Sequence, residues 1–154
     1  MRSMMIVLAA GLLLAAPAAA GDDWVPPVKD PLVLKECGAC HMAFQPAFLP
    51  ARAWRRMMDG LADHFGEDAS LPPATAAKVR DYLTSNAGDA DGRGMARKYM
   101  REASETSLRI TENPKFVQKH RRITEAEWKS PKVVTRSNCP ACHKAADAGW
   151  YEDD

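Results

Sequence analysis

Cys37-Gly38-Ala39-Cys40-His41 recurs in outline as Cys139-Pro140-Ala141-Cys142-His143, and the two pentapeptides contain every cysteine of the chain. On a helical turn, residues three apart lie on one side and the next residue stays close to that face. Two thiols so placed reach two vinyl groups on one edge of a porphyrin. The histidine that follows can then swing its imidazole onto the iron. Cys-x-x-Cys-His is the signature of c-type haem attachment. It predicts two haem c groups, one tethered through Cys37 and Cys40 and one through Cys139 and Cys142, with His41 and His143 as axial ligands. Covalent tethers also explain how so short a chain could keep two large cofactors.

Other uses of cysteine fit this spacing less well. Two disulfides are the ordinary expectation for four cysteines in an exported chain. Here they come as two close pairs with 98 residues between them. A zinc site using both pairs would have to bring them together, and would leave the repeated histidine unexplained. A redox dithiol would expect a βαβ pattern, which is absent.

Export is read from the start of the chain. Met1-Arg2-Ser3 is a short basic opening, Met4 to Ala16 is almost unbroken apolar sequence, and Pro17-Ala18-Ala19-Ala20 supplies small residues for cleavage. Residues 1–20 therefore read as a secretory signal peptide. The alternative is an uncleaved anchor, but the run is short and is followed by Asp22 and Asp23 without a basic flank. No later segment is long and apolar enough to span a membrane. Cleavage would leave 134 residues of formal charge 0, because Arg2 is the only charged residue removed. That is enough for one compact domain or two very small ones. The expected setting is the periplasm of a Gram-negative bacterium, as a monomer. Nothing in the composition suggests nucleic acid. Basic residues do cluster, at Arg52 to Arg56, Arg93 to Arg101 and Lys115 to Arg122.

The remaining sequence predicts an all-α, cytochrome-c-like fold with little or no sheet, packed as two haem-bearing halves. Residues 21–88 form the first haem region, 89–111 a linker with a charged helix, and 112–154 the second haem region. Residues 32–42 are expected to form a short helix holding the first motif. Trp54, Met57, Leu61 and His64 mark one face of a helix running from 51 to about 65, with Gly66 as its cap. Residues 74–86 read as a helix with Ala76, Val79, Tyr82 and Leu83 on one side. Residues 95–105 read as a solvated helix, and 115–122 as a short basic one. Thr124-Glu125-Ala126-Glu127 has capping-box form. The second motif is expected to open a last helix over 138–148. Candidate haem walls are Trp54, Phe65, Tyr82, Phe116, Trp128 and Trp150.

Each iron needs a sixth ligand, and two histidines remain, His64 and His120. Four histidines serve two haems as complete bis-histidine ligation with none left over. Met57, Met58, Met95 and Met100 are the alternatives. His64 lies 23 residues after His41, and His120 lies 23 residues before His143. That symmetry suggests local pairs, His41 with His64 and His143 with His120, although crossed pairing is also open. Irons so ligated are low-spin and have no vacancy for oxygen, peroxide or nitrite. A one-electron carrier is therefore expected, and not an enzyme. The rivals, a small peroxidase or nitrogen-oxide reductase and a gas sensor, each need one open haem.

Three stretches carry a wider likeness: His64-Phe65-Gly66-Glu67-Asp68-Ala69-Ser70-Leu71, then Ile110-Thr111 through Pro114-Lys115-Phe116 to His120, and Arg136-Ser137-Asn138-Cys139-Pro140-Ala141-Cys142-His143. With them the chain resembles the small dihaem cytochromes c of proteobacteria, often called DHC. The resemblance implies a mainly helical two-part structure and bis-histidine ligation through His41, His64, His120 and His143. It also implies electron exchange with a small monohaem cytochrome or a membrane b-type cytochrome.

Overall fold

A computed structural model describes residues 23–90 and 92–152; the expected signal peptide lies outside them. The order of elements is α1 (Pro31–Cys37), α2 (Ala51–Asp59), α3 (Pro73–Ser85), α4 (Gly94–Arg101), α5 (Pro114–Lys119) and α6 (Glu125–Trp128). Short 3-10 turns occur at Pro46–Phe48, Leu61–Asp63, Ile110–Glu112 and Cys139–Ala141. Among the described residues there is no strand, only isolated bridges pairing Trp24 with Trp150 and His64 with Glu67. The fold is all-α, as the sequence predicts.

Local chemistry explains most helix ends. Asp30 caps α1 by accepting from the amides of Leu32 and Val33, with Pro31 at the first helical position. Asn113 does the same for α5, accepting from Lys115 at 2.9 Å. Its own amide donates to the Tyr99 carbonyl at 3.0 Å, so this nearly fully buried side chain is satisfied on both sides. The capping box at Thr124 and Glu127 is present and starts α6.

Four sequence expectations are corrected. The first motif is not held within a helix: α1 stops at Cys37, where Gly38 donates to the Leu34 carbonyl, and Gly38 to His41 follow as a turn. α2 does not run to residue 65. Gly60 caps it, the chain tightens into the 3-10 turn, and Phe65 (φ 59°) and Gly66 (φ 102°) bend back. His64 is thus presented from a loop, next to the Trp54/Met57/Leu61 face and not on it. The 95–105 segment is not solvated all round. It is helical only over α4, which buries Met95, Ala96 and Tyr99 while Arg97 and Arg101 face water.

The second motif opens a single turn and no helix. The His143 amide reaches the Cys139 carbonyl at 2.9 Å, after which the chain runs on in turns. Two bonds to the other end of the chain draw it away from helical form: the Val25 amide to the Gly149 carbonyl and the Tyr151 amide to the Asp23 carbonyl, each 2.9 Å. Gly149 (φ 86°) is required there. A Cβ would sit 1.9 Å from the Val25 carbonyl oxygen.

Two apolar cores result. α2 and α3 enclose the first, with Val33, Trp54, Met58, Val79 and Leu83 buried. The Arg80–Asp59 ion pair at 2.6 Å closes its outer edge. The second gathers Val25, Phe48, Met95, Tyr99, Phe116 and Trp128. The stretch between the first motif and α2 stitches them together. Ala43 and Leu49 belong to the first core, while Ala47 and Phe48 belong to the second. Close packing of this kind makes the relative placement of the two motifs rigid.

Candidate functional site

The four histidines fall into two facing pairs. His41 and His64 have ring centres 6.1 Å apart with planes inclined by 23°. His120 and His143 have ring centres 6.0 Å apart with planes inclined by 88°. A nitrogen about 2 Å from a metal, with the ring centre about 1 Å beyond it, places two imidazoles on opposite sides of one iron at about 6 Å. Both pairs meet that spacing. Of the two arrangements left open by the sequence, the structure brings together the local one.

Ring nitrogens are held in a way that suits coordination. Nδ1 of His41 donates to the Met42 carbonyl (2.7 Å), Nδ1 of His120 to Phe116 (2.9 Å) and Nδ1 of His143 to Glu152 (3.2 Å). A carbonyl only accepts, so the proton sits on Nδ1 and the lone pair on Nε2 is left for a metal. His64 differs: its Nδ1 is buried without a hydrogen-bond partner. Burial, then the neighbouring His41 and Arg109, lower its affinity for a proton, which keeps the ring in its neutral, ligating form.

The second pair opens into a cleft of ≈ 380 Å³. Cys139, Cys142, His120 and His143 line it together with Phe44, Phe48, Phe116, Trp128 and Tyr151. Flat aromatic walls, two thiols and two imidazoles are the donor set and the shape that a tethered porphyrin needs. Phe116 stacks on His120 at 4.0 Å, and Trp128 stands 5.7 Å from it. Burial, foremost, pushes the Cys139 thiol up to about 11, and burial likewise raises Cys37, with Glu36 adding to it. Such sulfurs are at ease as neutral thioethers. Cys40 and Cys142 are both exposed, but His41 is exposed where His143 is half-buried. Phe44 stacks on His41 at 4.8 Å and Phe65 stands 4.9 Å from His64, with the Arg109 guanidinium 3.9 Å over the Phe65 ring.

Other readings lose ground. No disulfide links the four cysteines. Among the described residues no three His, Cys, Asp or Glu side chains converge as a shared zinc site would require. Met58 is packed in the first core, and Met95 in the second. Of the proposed walls, Phe65, Phe116 and Trp128 flank the imidazoles. Trp54 instead donates to the Pro46 carbonyl inside the first core (2.8 Å), the Tyr82 hydroxyl accepts from the Lys29 amide (3.0 Å), and Trp150 packs on Trp24.

Three residues escaped sequence reasoning. Phe44 touches His41 and also lines the second cleft, so it joins the two sites. Gln45, fully buried, donates to the Ala146 carbonyl (2.7 Å) and accepts from the Tyr151 hydroxyl (2.5 Å). Tyr151 in turn packs edge-on against His143, 5.5 Å between ring centres.

Comparison with known proteins points to one family. The family model for dihaem cytochrome c matches residues 33–151. A diheme cytochrome c from Rhodobacter sphaeroides is 42% identical with a TM-score of 0.72, covering 82% of this chain and 99% of that one. The crystal structure of DHC purified from the same organism is 42% identical with a TM-score of 0.66, covering 80% of this chain and 98% of that one. The diheme cytochrome from Shewanella baltica is 32% identical with a TM-score of 0.65, covering 79% and 86%. Comparison with curated proteins gives no match.

Proposed function

Since the chain belongs to the dihaem cytochrome c family of electron-transfer haem proteins and carries two haem c groups, we propose that it is a periplasmic one-electron carrier whose irons are each held by two histidines, His41 with His64 and His143 with His120. The observation that carries this reading is the repeated separation of about 6 Å between facing imidazoles. When bound, the haems supply reversible one-electron chemistry. The chain's residues would place one imidazole on each side of each iron, leaving no vacancy for small ligands and little need for movement when the oxidation state changes. Phe44, shared between the sites, favours transfer from one to the other. Location in the periplasm follows from the Cys-x-x-Cys-His chemistry and the export signal read at residues 1–20. No helix among the described residues is long and apolar enough to cross a membrane.

Purified holoprotein is expected to bind neither cyanide when oxidised nor carbon monoxide when reduced. Rapid, stoichiometric binding at one haem would move the assignment to an enzyme or a gas binder with an open iron.

A small monohaem cytochrome or a membrane b-type cytochrome is the proposed exchange partner. Lys98, Lys115, Lys119, Lys132 and Arg136 outnumber Asp23 and Glu127 in the lining of the second cleft, even with Lys119 paired to Asp23 and Arg136 to Glu125, which favours an acidic partner docking there. The bimolecular rate of reduction by such a cytochrome should then fall as salt is raised, since screening shortens the reach of surface charge to about 8 Å at physiological ionic strength. A rate that does not change, or rises, with salt removes the basic rim from the docking site.

A further inference from the structure

The two imidazole pairs differ in one respect that bears on the electronic structure of the irons. Planes in the first pair are nearly parallel at 23°, while those in the second are crossed at 88°. Each imidazole overlaps mainly with the one iron dπ orbital that lies perpendicular to its ring. Parallel rings load the same orbital and split the dπ pair. Crossed rings load one each and leave the pair nearly degenerate.

We propose that Tyr151 is a positioning residue that holds the His143 plane across that of His120, so that the second iron alone has a nearly degenerate dπ pair and a highly anisotropic EPR signal; the proposal rests on bis-histidine ligation as read above. His120 is fixed from its own side. Its Nδ1 donates to Phe116 and its ring lies on the Phe116 ring, inclined by 23°. His143 is fixed from the other end of the chain. Its Nδ1 donates to Glu152, and the Tyr151 ring meets it edge-on at 61°. Tyr151 is itself held at both ends of its ring. Its hydroxyl donates to the buried Gln45, and Phe48 packs on it at 5.1 Å and 84°. Gln45 cannot swing away, because its amide is committed to the Ala146 carbonyl. The clamp thus runs from the segment after the first motif to the residue before Glu152, and it acts on the iron only through His143.

The test is EPR of the frozen ferric holoprotein. The expected result is two low-spin signals of equal spin count, one a rhombic three-line spectrum and one with a single low-field feature of highly anisotropic iron. In Tyr151→Leu the second signal should move towards the rhombic type while the first stays in place. Tyr151→Phe, which keeps the ring, should restore most of the anisotropic signal. Two rhombic signals in the wild-type protein, or an anisotropic signal unmoved in Tyr151→Leu with both haems bound, would overturn the proposal and leave bis-histidine ligation standing. A high-spin signal from either haem of the wild-type protein would overturn both. Where Tyr151→Leu does not fold, the wild-type spectrum still tests the crossed planes, and Phe48→Leu, which loosens the same ring, tests the clamp by the same shift.

Discussion

Changing Cys139 and Cys142 together to serine is expected to give a matured protein with one haem instead of two, and the haem that remains should stay low-spin. Serine is close in size to cysteine but forms no thioether with a vinyl group, so the second porphyrin loses both covalent tethers. The cleft that would hold it is open, and its rim is polar. Axial ligation by His120 and His143 alone would have to retain the group through export and folding. Mass spectrometry should show the increment of a single porphyrin, with the c-type absorbance halved. The state of the surviving haem is the sharper reading. Because His64 faces His41 at 6.1 Å, the proposed pairing asks for no ligand to the first iron from the second half of the chain. A high-spin spectrum, or new carbon monoxide binding, would show that the first iron depends on the folded second half of the chain and would count against the local pair.

The same variant should also lose stability. Phe116 and Trp128 would face a vacant cleft. Leaving one large apolar side chain in water forfeits about 1.5–3 kcal/mol. The second core depends on both residues, so α5, α6 and the segment after Pro131 should unfold at lower denaturant concentration than α2 and α3. Differential hydrogen exchange would resolve the two parts.

How far the sequence spoke for itself depended on how local each signal was. Covalent attachment is written within five consecutive residues, and a reader of the sequence finds it twice. The histidines proposed as distal ligands were legible by counting, since His64 and His120 are the ones left over. The capping box at Thr124 and the buried face of α3 were legible because they obey short-range rules. Signals that depend on distant chain were not. Gln45 meets Ala146 and Tyr151, 101 and 106 residues away, and no periodicity marks such a residue. The helix expected after Cys139 fails for the same reason, because bonds to Asp23 and Val25 shape the end of the chain. α4 was misread because its charges hide a buried stripe of Met95, Ala96 and Tyr99. Charge count is a poor guide to a helix whose apolar residues all fall on one side.

The second large effect is expected from His64→Met. Among the four imidazoles, His64 alone has a buried Nδ1 with no acceptor. A histidine that donates from its far nitrogen becomes a stronger base towards the metal, so His64 is the weakest donor of the set. It is also presented from a loop, between the 3-10 turn and the backward bend at Phe65 and Gly66. Methionine there disturbs no hydrogen bond of the ring. A thioether favours ferrous iron more than imidazole does, and His/Met ligation raises the potential. The first haem should shift upwards by on the order of 0.1 V, within the roughly 0.8 V that axial ligands span. In the wild-type protein the second haem should be reduced first, because Lys98, Lys115, Lys119, Lys132 and Arg136 outnumber Asp23 and Glu127 around its cleft and favour the added electron. The variant should therefore carry the first haem's wave towards or past the second's while the second stays in place. Spectropotentiometry with EPR of partly reduced samples tells the two apart. If the wave of the crossed-imidazole haem moves instead, His64 belongs to that iron and the local pairing is wrong. If neither wave moves, His64 is not a ligand at all, and the carrier reading loses its saturated first site.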